Sequence, residues 1–344
     1  IFMLKYISTK MEFTRYLYNK EYVEYSLLLS LLNRNKDEAL FWTYELYFSG
    51  YKNHTFALLW NYYYLLYGAF FHRLEKYLYR RTREWMEDIT DHTIVGTIAF
   101  NLASREPCVD FYLMNENLIE YPNILKPYIE RMESQEDVLT VLNDFIKTNG
   151  CFENIAKKSY SNLICLFEKL TFLPHNTLKL ACISRMFSGL FLKDPNNGLD
   201  KNFFINLKKI DINEYETKPL IKLKGWKIPY KRCKYTIKVP PHREKLNIKI
   251  YFDWLFYASG SPLWRTRIKK YNGRVDYDNK RIEFKDDDDL EDFYDFYDME
   301  PDEQSYEVLL KWFGSQPFNS YEEIYNKYKL EILNEWLLTN NYIM

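Results

Sequence analysis

From Met11 to about Leu192, apolar residues recur at helical spacing in runs broken by short polar stretches, as amphipathic helices require. The clearest unit comes first. Tyr22, Tyr25, Leu28, Leu29 and Leu32 line one face, Asn33-Arg34-Asn35 turns the chain, and Asp37 is placed to cap a second helix carrying Leu40, Phe41, Tyr44, Leu46 and Tyr47. Gly50 follows where a left-handed residue commonly ends a helix, so the spacing predicts an antiparallel helical hairpin. Further helices are predicted over Thr55 to about Arg83, Asp91 to Leu102, and from Val138 to Asn149 with Ser134 and Asp137 as its capping box. Two more run from Cys151 to Leu170 and from Asn176 to Leu192, the last bracketed by Pro174 and Pro195.

The pattern changes after the turn-rich stretch Lys193 to Asp200. Lys222 to Trp226 and Tyr235 to Val239 alternate polar and apolar residues as half-exposed strands do, and Pro240-Pro241 ends the second. Ile248 to Tyr257 reads as an aromatic helix, and Ser261-Pro262 opens a basic helix that Asn272-Gly273 stops. Val275 to Tyr277 and Arg281 to Phe284 are expected to pair around Asp278-Asn279. Helices from Glu303 to Phe313 and from Ser320 to Leu338, the latter with a Ser320/Glu323 capping box, close the chain. The expected architecture is predominantly α. It has an N-terminal multi-helix bundle or irregular α-solenoid over 11–200, with a smaller α+β C-terminal domain over 201–344. Residues 1–10, ahead of Met11, read as an upstream extension.

Seventeen residues from Thr55 to Phe71 carry no formal charge, but Asn61, Gly68 and four tyrosines interrupt them, and a membrane span needs about 20 apolar residues. They are read as a buried core helix, and no membrane span is expected. Ten glycines in 344 residues form neither a P-loop nor a G-x-G-x-x-G run, which disfavours the nucleotide-binding folds built on them. Five histidines and five cysteines make no H-E-x-x-H or C-x-x-C, so neither zinc nor dithiol chemistry is expected. The odd cysteine number and irregular spacing fit free thiols in a reducing, intracellular setting. His72 and Glu75 form an isolated H-x-x-E in the wrong order for a di-iron bundle, and G-x-S-x-G is absent. No catalytic residue, metal site or cofactor is assigned.

Charge is more informative. The net charge of −1 hides a block from Lys218 to Ile282 with 18 basic and 4 acidic residues, followed by Glu283 to Glu303 with 12 acids and one lysine. Such adjacent opposed fields can steer a charged partner even when the whole chain is near neutral. Within the basic block, Lys222, Lys224, Lys227, Lys231, Arg232, Lys234 and Lys238 interleave with Trp226, Tyr230 and Tyr235. Trp264, Arg265, Arg267, Lys269 and Lys270 follow on the basic helix. Cations that take phosphates, next to rings that stack on bases, are how single strands are bound without sequence preference. The candidate nucleic-acid-binding set is therefore Lys222, Lys224, Trp226, Lys227, Tyr230, Lys231, Arg232, Lys234, Trp264, Arg265, Arg267, Lys269 and Lys270. The same alternation is also what an ordinary solvated strand displays. The run Asp286-Asp287-Asp288-Asp289 lacks the glycine of an EF-hand and reads as a solvated helix start, with Phe293 and Tyr297 sharing one face. It could also cover the basic block.

Two stretches carry a family resemblance. The first is Asp37-Glu-Ala-Leu-Phe-Trp-Thr-Tyr-Glu-Leu-Tyr-Phe-Ser-Gly50, preceded by Glu21-Tyr-Val-Glu-Tyr-Ser-Leu. The second is Tyr257-Ala-Ser-Gly-Ser-Pro-Leu-Trp-Arg265, followed by Glu300-Pro-Asp-Glu-Gln304. Together they resemble an uncharacterised protein group of nucleocytoplasmic large DNA viruses, the giant viruses. The excess of lysine over arginine, 32 to 15, is what AT-rich coding produces. The resemblance implies a setting, a virus factory in the host cytoplasm or the virion, and brings no active site. Tyr22 to Gly50 is also similar to the helical collar of clamp-loader-related ATPases, which implies a docking or oligomerisation module without their P-loop. The expected function is a non-enzymatic viral interaction or structural protein with a protein partner. A nucleic-acid-binding accessory factor for DNA or RNA is the alternative.

Overall fold

A computed structural model describes residues 11–116, 120–134, 136–149, 163–191, 204–215, 233–297 and 300–328. The helices are α1 (Lys20–Leu32), α2 (Lys36–Phe48), α3 (Lys52–Leu66), α4 (His72–Glu87), α5 (Thr93–Ala103), α6 (Val109–Asn115), α7 (Lys126–Glu133) and α8 (Val138–Asn149). They continue with α9 (163–169), α10 (His175–Phe191), α11 (Lys209–Ile212), α12 (Trp254–Ala258) and α13 (Pro262–Lys270). After a two-stranded antiparallel sheet, β1 (Arg274–Asp276) and β2 (Arg281–Glu283), come α14 (Asp287–Tyr297), α15 (Tyr306–Phe313) and α16 (Tyr321–Tyr328). The chain is thus predominantly α with one small sheet among the described residues. No helix among them is long and apolar enough to cross a membrane.

Two compact units interleave along the sequence. Among the described residues, one takes Phe56–Asn206 with 321–328; the other takes 11–55 together with Leu207–Ser320. The hydrophobic pattern alone suggests one boundary near residue 200, whereas contacts gather α1 and α2 with the segments after Leu207.

In this second, discontinuous unit the hairpin of α1 and α2 is the core. Asn19 accepts a hydrogen bond from the Tyr22 amide at 3.2 Å, and Asn35, not Asp37, caps α2 by accepting from the Glu38 amide at 3.2 Å. The turn closes with Arg34 at φ +57°, and Gly50 ends α2 at φ +93°. A Cβ on Gly50 would lie 2.8 Å from Pro262. Every residue from Ala39 to Tyr47 is buried, so α2 is enclosed on all sides rather than amphipathic. Later segments complete that enclosure. The Tyr18 hydroxyl donates to the Tyr235 carbonyl at 3.0 Å, Tyr22 to the Glu244 carbonyl at 2.9 Å, and the Lys238 amide to Ser26 Oγ at 2.7 Å. Tyr235 to Val239, expected as a strand, makes one parallel bridge between Lys238 and Ser315 instead of a ladder. Ile248 to Tyr257 is a 3-10 helix, Ile248–Asp253, running into α12.

In the other unit, the single helix expected from Thr55 to Arg83 is two. The Gly68 amide reaches back to the Tyr63 carbonyl at 2.7 Å, and Tyr63 donates its hydroxyl to the Phe71 carbonyl at 3.2 Å, which breaks the run at 67–71. A Cβ on Gly68 would lie 2.8 Å from Ser184 Oγ, so a glycine lets α10 approach there. Helix α4 is strongly amphipathic, with Leu74, Tyr77, Leu78 and Trp85 buried and Trp85 stacked on Phe56 at 4.1 Å. Asp137 caps α8 by accepting from the Thr140 amide at 2.8 Å, while Ser134 belongs to the end of α7. Of the helix expected from Cys151 to Leu170, the part over 163–169 is α9 and the part over 151–162 lies outside the described residues, as do the loop from 193 to 200, the strand over 222–226 and the end of the last helix.

Candidate functional site

The opposed charge blocks meet in one structural element. Ser261 accepts from the Trp264 amide at 3.2 Å and Pro262 occupies the first turn, so α13 starts where the sequence places it. The helical period puts Trp264 and Ile268 on the buried face and leaves Arg265, Lys269 and Lys270 exposed. After Asn272, at φ +55°, Gly273 lies so close to Ile268 that a Cβ would approach its Cγ2 to 2.6 Å. The hairpin pairs Val275 with Ile282, and Asp276 closes its turn by accepting from the amides of Asp278 and Asn279 at 3.0 Å. Hydrogen bonds from the side chain and then the amide of Asn279 hold the Asp276 carboxyl below the usual range.

The acidic block folds beside the basic helix through rings. Phe293 and Tyr297, four residues apart on α14, are buried against α13. Trp264 lies 5.6 Å from Tyr297 and 6.4 Å from Phe293, and Tyr271 lies 5.7 Å from Phe293. Two cations of the basic helix lie on this seam. The Arg267 guanidinium is 4.5 Å from the Trp264 ring and 4.9 Å from Tyr297, and Lys270 Nζ is 4.9 Å from Phe296. Asn272 ties the two ends together, donating to both oxygens of Asp289 at 3.0 and 2.9 Å. Asp286, Asp287, Asp288, Glu291, Asp292 and Asp295 stay exposed. The Asp289 amide donates to Asp286 at 3.0 Å and, as the largest influence, lowers that carboxyl.

These positions revise the candidate nucleic-acid set. Trp264 is fully buried and edge-on to Trp254 at 5.5 Å, so its ring is core and is not a base-stacking platform. Arg267 is half-buried on the same rings. Arg265, Lys269 and Lys270 keep an exposed aspect, and Lys234 is exposed with its Nζ 5.3 Å from the Tyr235 ring. Lys222, Lys224, Trp226, Lys227, Tyr230, Lys231 and Arg232 lie outside the described residues.

Other polar constellations had no local sequence signal. Arg15 Nε donates to Glu45 Oε2 at 2.9 Å and its Nη1 to the Tyr215 carbonyl at 2.9 Å, while Glu45 Oε1 accepts from the Tyr16 amide at 3.0 Å. In the other unit Arg185 Nη2 meets both oxygens of Glu75 at 2.9 and 2.7 Å, and the Tyr64 hydroxyl donates to Glu75 at 2.8 Å. Burial alone would lower Arg185; Glu75 beside it reverses the direction and raises it. Glu75 of the H-x-x-E pair is therefore an ion-pair partner. On the surface, His54 Nε2 lies 2.7 Å from Glu24, and Lys20 lies 3.4 Å from Glu12, which also accepts from the Tyr51 hydroxyl at 3.3 Å. Among the described residues no group of three or more His, Cys, Asp or Glu side chains is placed to hold a metal ion. Cys108, Cys182 and Cys233 are buried, Cys165 is half-buried, and burial raises the thiols of the first three. No protein-family model, curated protein or solved structure matches this chain.

Proposed function

We propose that the protein acts by binding another protein rather than by catalysis, as a virion component or virus-factory scaffold of a giant virus. The observation that carries this reading is the surface of the module formed by α13, the hairpin and α14. Its rings are consumed in an internal seam, yet Tyr277, Phe296 and Leu290 remain 57%, 39% and 36% exposed among carboxylates. Exposed large apolar side chains within a polar surround are the usual composition of a protein interface. The test is purification of the tagged protein from the cells that naturally make it, beside a Tyr277→Ala/Leu290→Ala/Phe296→Ala variant. A defined partner retained by the first and lost by the second is expected. A monomer with no partner, or the same partner on both, would overturn the reading.

The second reading, a nucleic-acid-binding accessory factor, draws on Arg265 and Lys269, one turn apart on the exposed side of α13. Binding of the full chain to labelled single- and double-stranded DNA and RNA should then weaken at least about tenfold between 50 and 200 mM salt. Arg265→Glu/Lys269→Glu should abolish it. Truncation at Ile282 is unsuitable as a control, because Phe293 and Tyr297 fill the core beside Trp264.

A further inference from the structure

The outward side of α14 carries a stripe of carboxylates that the fold does not use. Helical spacing sets Asp287, Asp288, Glu291, Asp292 and Asp295 on the side away from the buried Phe293 and Tyr297, and all five are exposed. Asp286 beside them pairs with Lys285 at 3.4 Å, whereas none of the five carboxylates has an ion-pair or hydrogen-bond partner among the described residues. Helix chemistry accounts for part of the stripe. Asp287 and Asp288 lie in the first turn, where the positive end of the dipole favours them. Glu291, Asp292 and Asp295 lie beyond it, and Asp295 falls in the last turn, which holds no basic residue. Asp287, Glu291 and Asp295 also stand four positions apart, where like charges repel.

The opposite sign lies on the neighbouring helix. Helix α13 turns Trp264 and Ile268 inward and Arg265, Lys269 and Lys270 outward, and none of these three cations has an ion-pair partner among the described residues. Arg265 and Lys269 are four positions apart, about 6 Å along the axis, which is also the separation of Glu291 from Asp295. Two such helices laid side by side meet charge for charge. Within one chain they cannot, because α13 and α14 already pack on each other through Trp264, Tyr271, Phe293 and Tyr297, with the charged sides turned away from that seam. The complement of each face is therefore presented by another copy.

We propose that α14 of one copy docks on α13 of a second copy, so that the chain self-associates through this module. Glu291 and Asp295 meet Arg265 and Lys269 of the other copy, and the repulsion along the stripe is relieved by the opposite charge. Leu290 and Phe296, 36% and 39% exposed, border the stripe, so the contact also removes apolar surface from water. This contact goes beyond the reading above, in which the partner is a different protein, and its test needs only the purified chain.

The experiment is sedimentation equilibrium of the full chain before and after nuclease treatment. At about 50 mM salt, reversible association with a Kd of about 100 µM or tighter is expected, weakening at least about fivefold at about 500 mM as exposed charges are screened. Glu291→Lys/Asp295→Lys and Arg265→Glu/Lys269→Glu should each weaken it at least about tenfold, because the facing charges become alike. Mixed in equal amounts, the two variants should return to within about threefold of the wild type, since their reversed faces attract again. All four positions are exposed, and Glu291→Gln/Asp295→Asn, which removes the charge without reversing it, should give a smaller loss. A chain that is monomeric at low salt would overturn the proposal and leave the acidic face to a basic segment of another protein. Association that survives both reversals, or that the mixture fails to restore, would overturn it as well, and association abolished by nuclease would assign the contact to bound nucleic acid instead.

Discussion

Among the described residues, each unit encloses an arginine–glutamate ion pair, and the two pairs are built for different tasks. Arg15 and Glu45 are 2% and 0% exposed, and three of their hydrogen bonds join the chain before α1, helix α2 and the segment at Tyr215. Two of those bonds end on backbone, at the Tyr16 amide and the Tyr215 carbonyl. The pair therefore stands in for secondary structure, satisfying irregular chain that no ladder could reach. Arg185 and Glu75, 12% and 14% exposed, join regular helices, α4 to α10, with the Tyr64 hydroxyl of α3 as the third member. These three bonds all run between side chains. A buried ion pair is replaceable when only side chains depend on it, and much less so when backbone does.

The largest expected effect comes from breaking either pair by one substitution. Arg15→Met and Arg185→Met should each lose about 3–5 kcal/mol, because each leaves a buried carboxylate unpaired. Denaturant unfolding followed by circular dichroism measures this, and a loss below 1 kcal/mol would show that water reaches the site. The paired replacements separate the two cases. Arg185→Met with Glu75→Leu should recover to within about 1–2 kcal/mol of the wild type, whereas Arg15→Met with Glu45→Leu should remain about 2–4 kcal/mol below it. Equal recovery would erase the distinction.

Asp110 extends the comparison to a carboxyl with no ion-pair partner among the described residues. It is fully buried in the first turn of α6, neither of its carboxyl oxygens has a hydrogen-bond partner among the described residues, and burial raises it to about 6. The folded chain then holds this proton more tightly than the unfolded one, whose carboxyl titrates near 3.8. Its contribution is therefore most favourable below the unfolded value and is lost as the pH rises through about 6. Asp110→Asn should raise stability at pH 7 by about 1–3 kcal/mol and make little difference at pH 4. Urea midpoints for the two proteins at both pH values decide it, and an equal gain at pH 4 would assign the effect to packing. The smallest effect is local: Asn35→Ala should remove the α2 cap at about 1 kcal/mol, visible as a lower Tm.

What could be read from the sequence was whatever is encoded within a few residues. Ser261-Pro262 and Asn272-Gly273 bound α13 by capping and turn chemistry alone, and Phe293 and Tyr297 share a face because a helix repeats every three to four positions. The same period sets Trp264 beside Ile268 on the buried side. Its inclusion among base-stacking residues followed the charge pattern where the helical one decides. Asn35 and Asp37 are both good caps, and the turn at Arg34 selects the first. Tyr235 to Val239 alternates like a strand but, among the described residues, forms a single bridge, to Ser315, since strand formation depends on a neighbour that alternation cannot supply. The ion pairs were invisible for a related reason. Arg15 and Glu45 are thirty positions apart and Glu75 and Arg185 more than a hundred, and nothing local links either pair.

On the ribosome, α1 and α2 emerge long before the residues that enclose them. Phe41 and Trp42 pack against Tyr235, which is synthesised only after the whole of Phe56–Asn206. At ordinary elongation speeds that interval, about 150 residues, lasts roughly 8–30 s. A nascent hairpin with buried-type aromatics on every side must wait that long in water. The segment therefore offers a chaperone a binding window that closes when translation passes the Tyr235 codon.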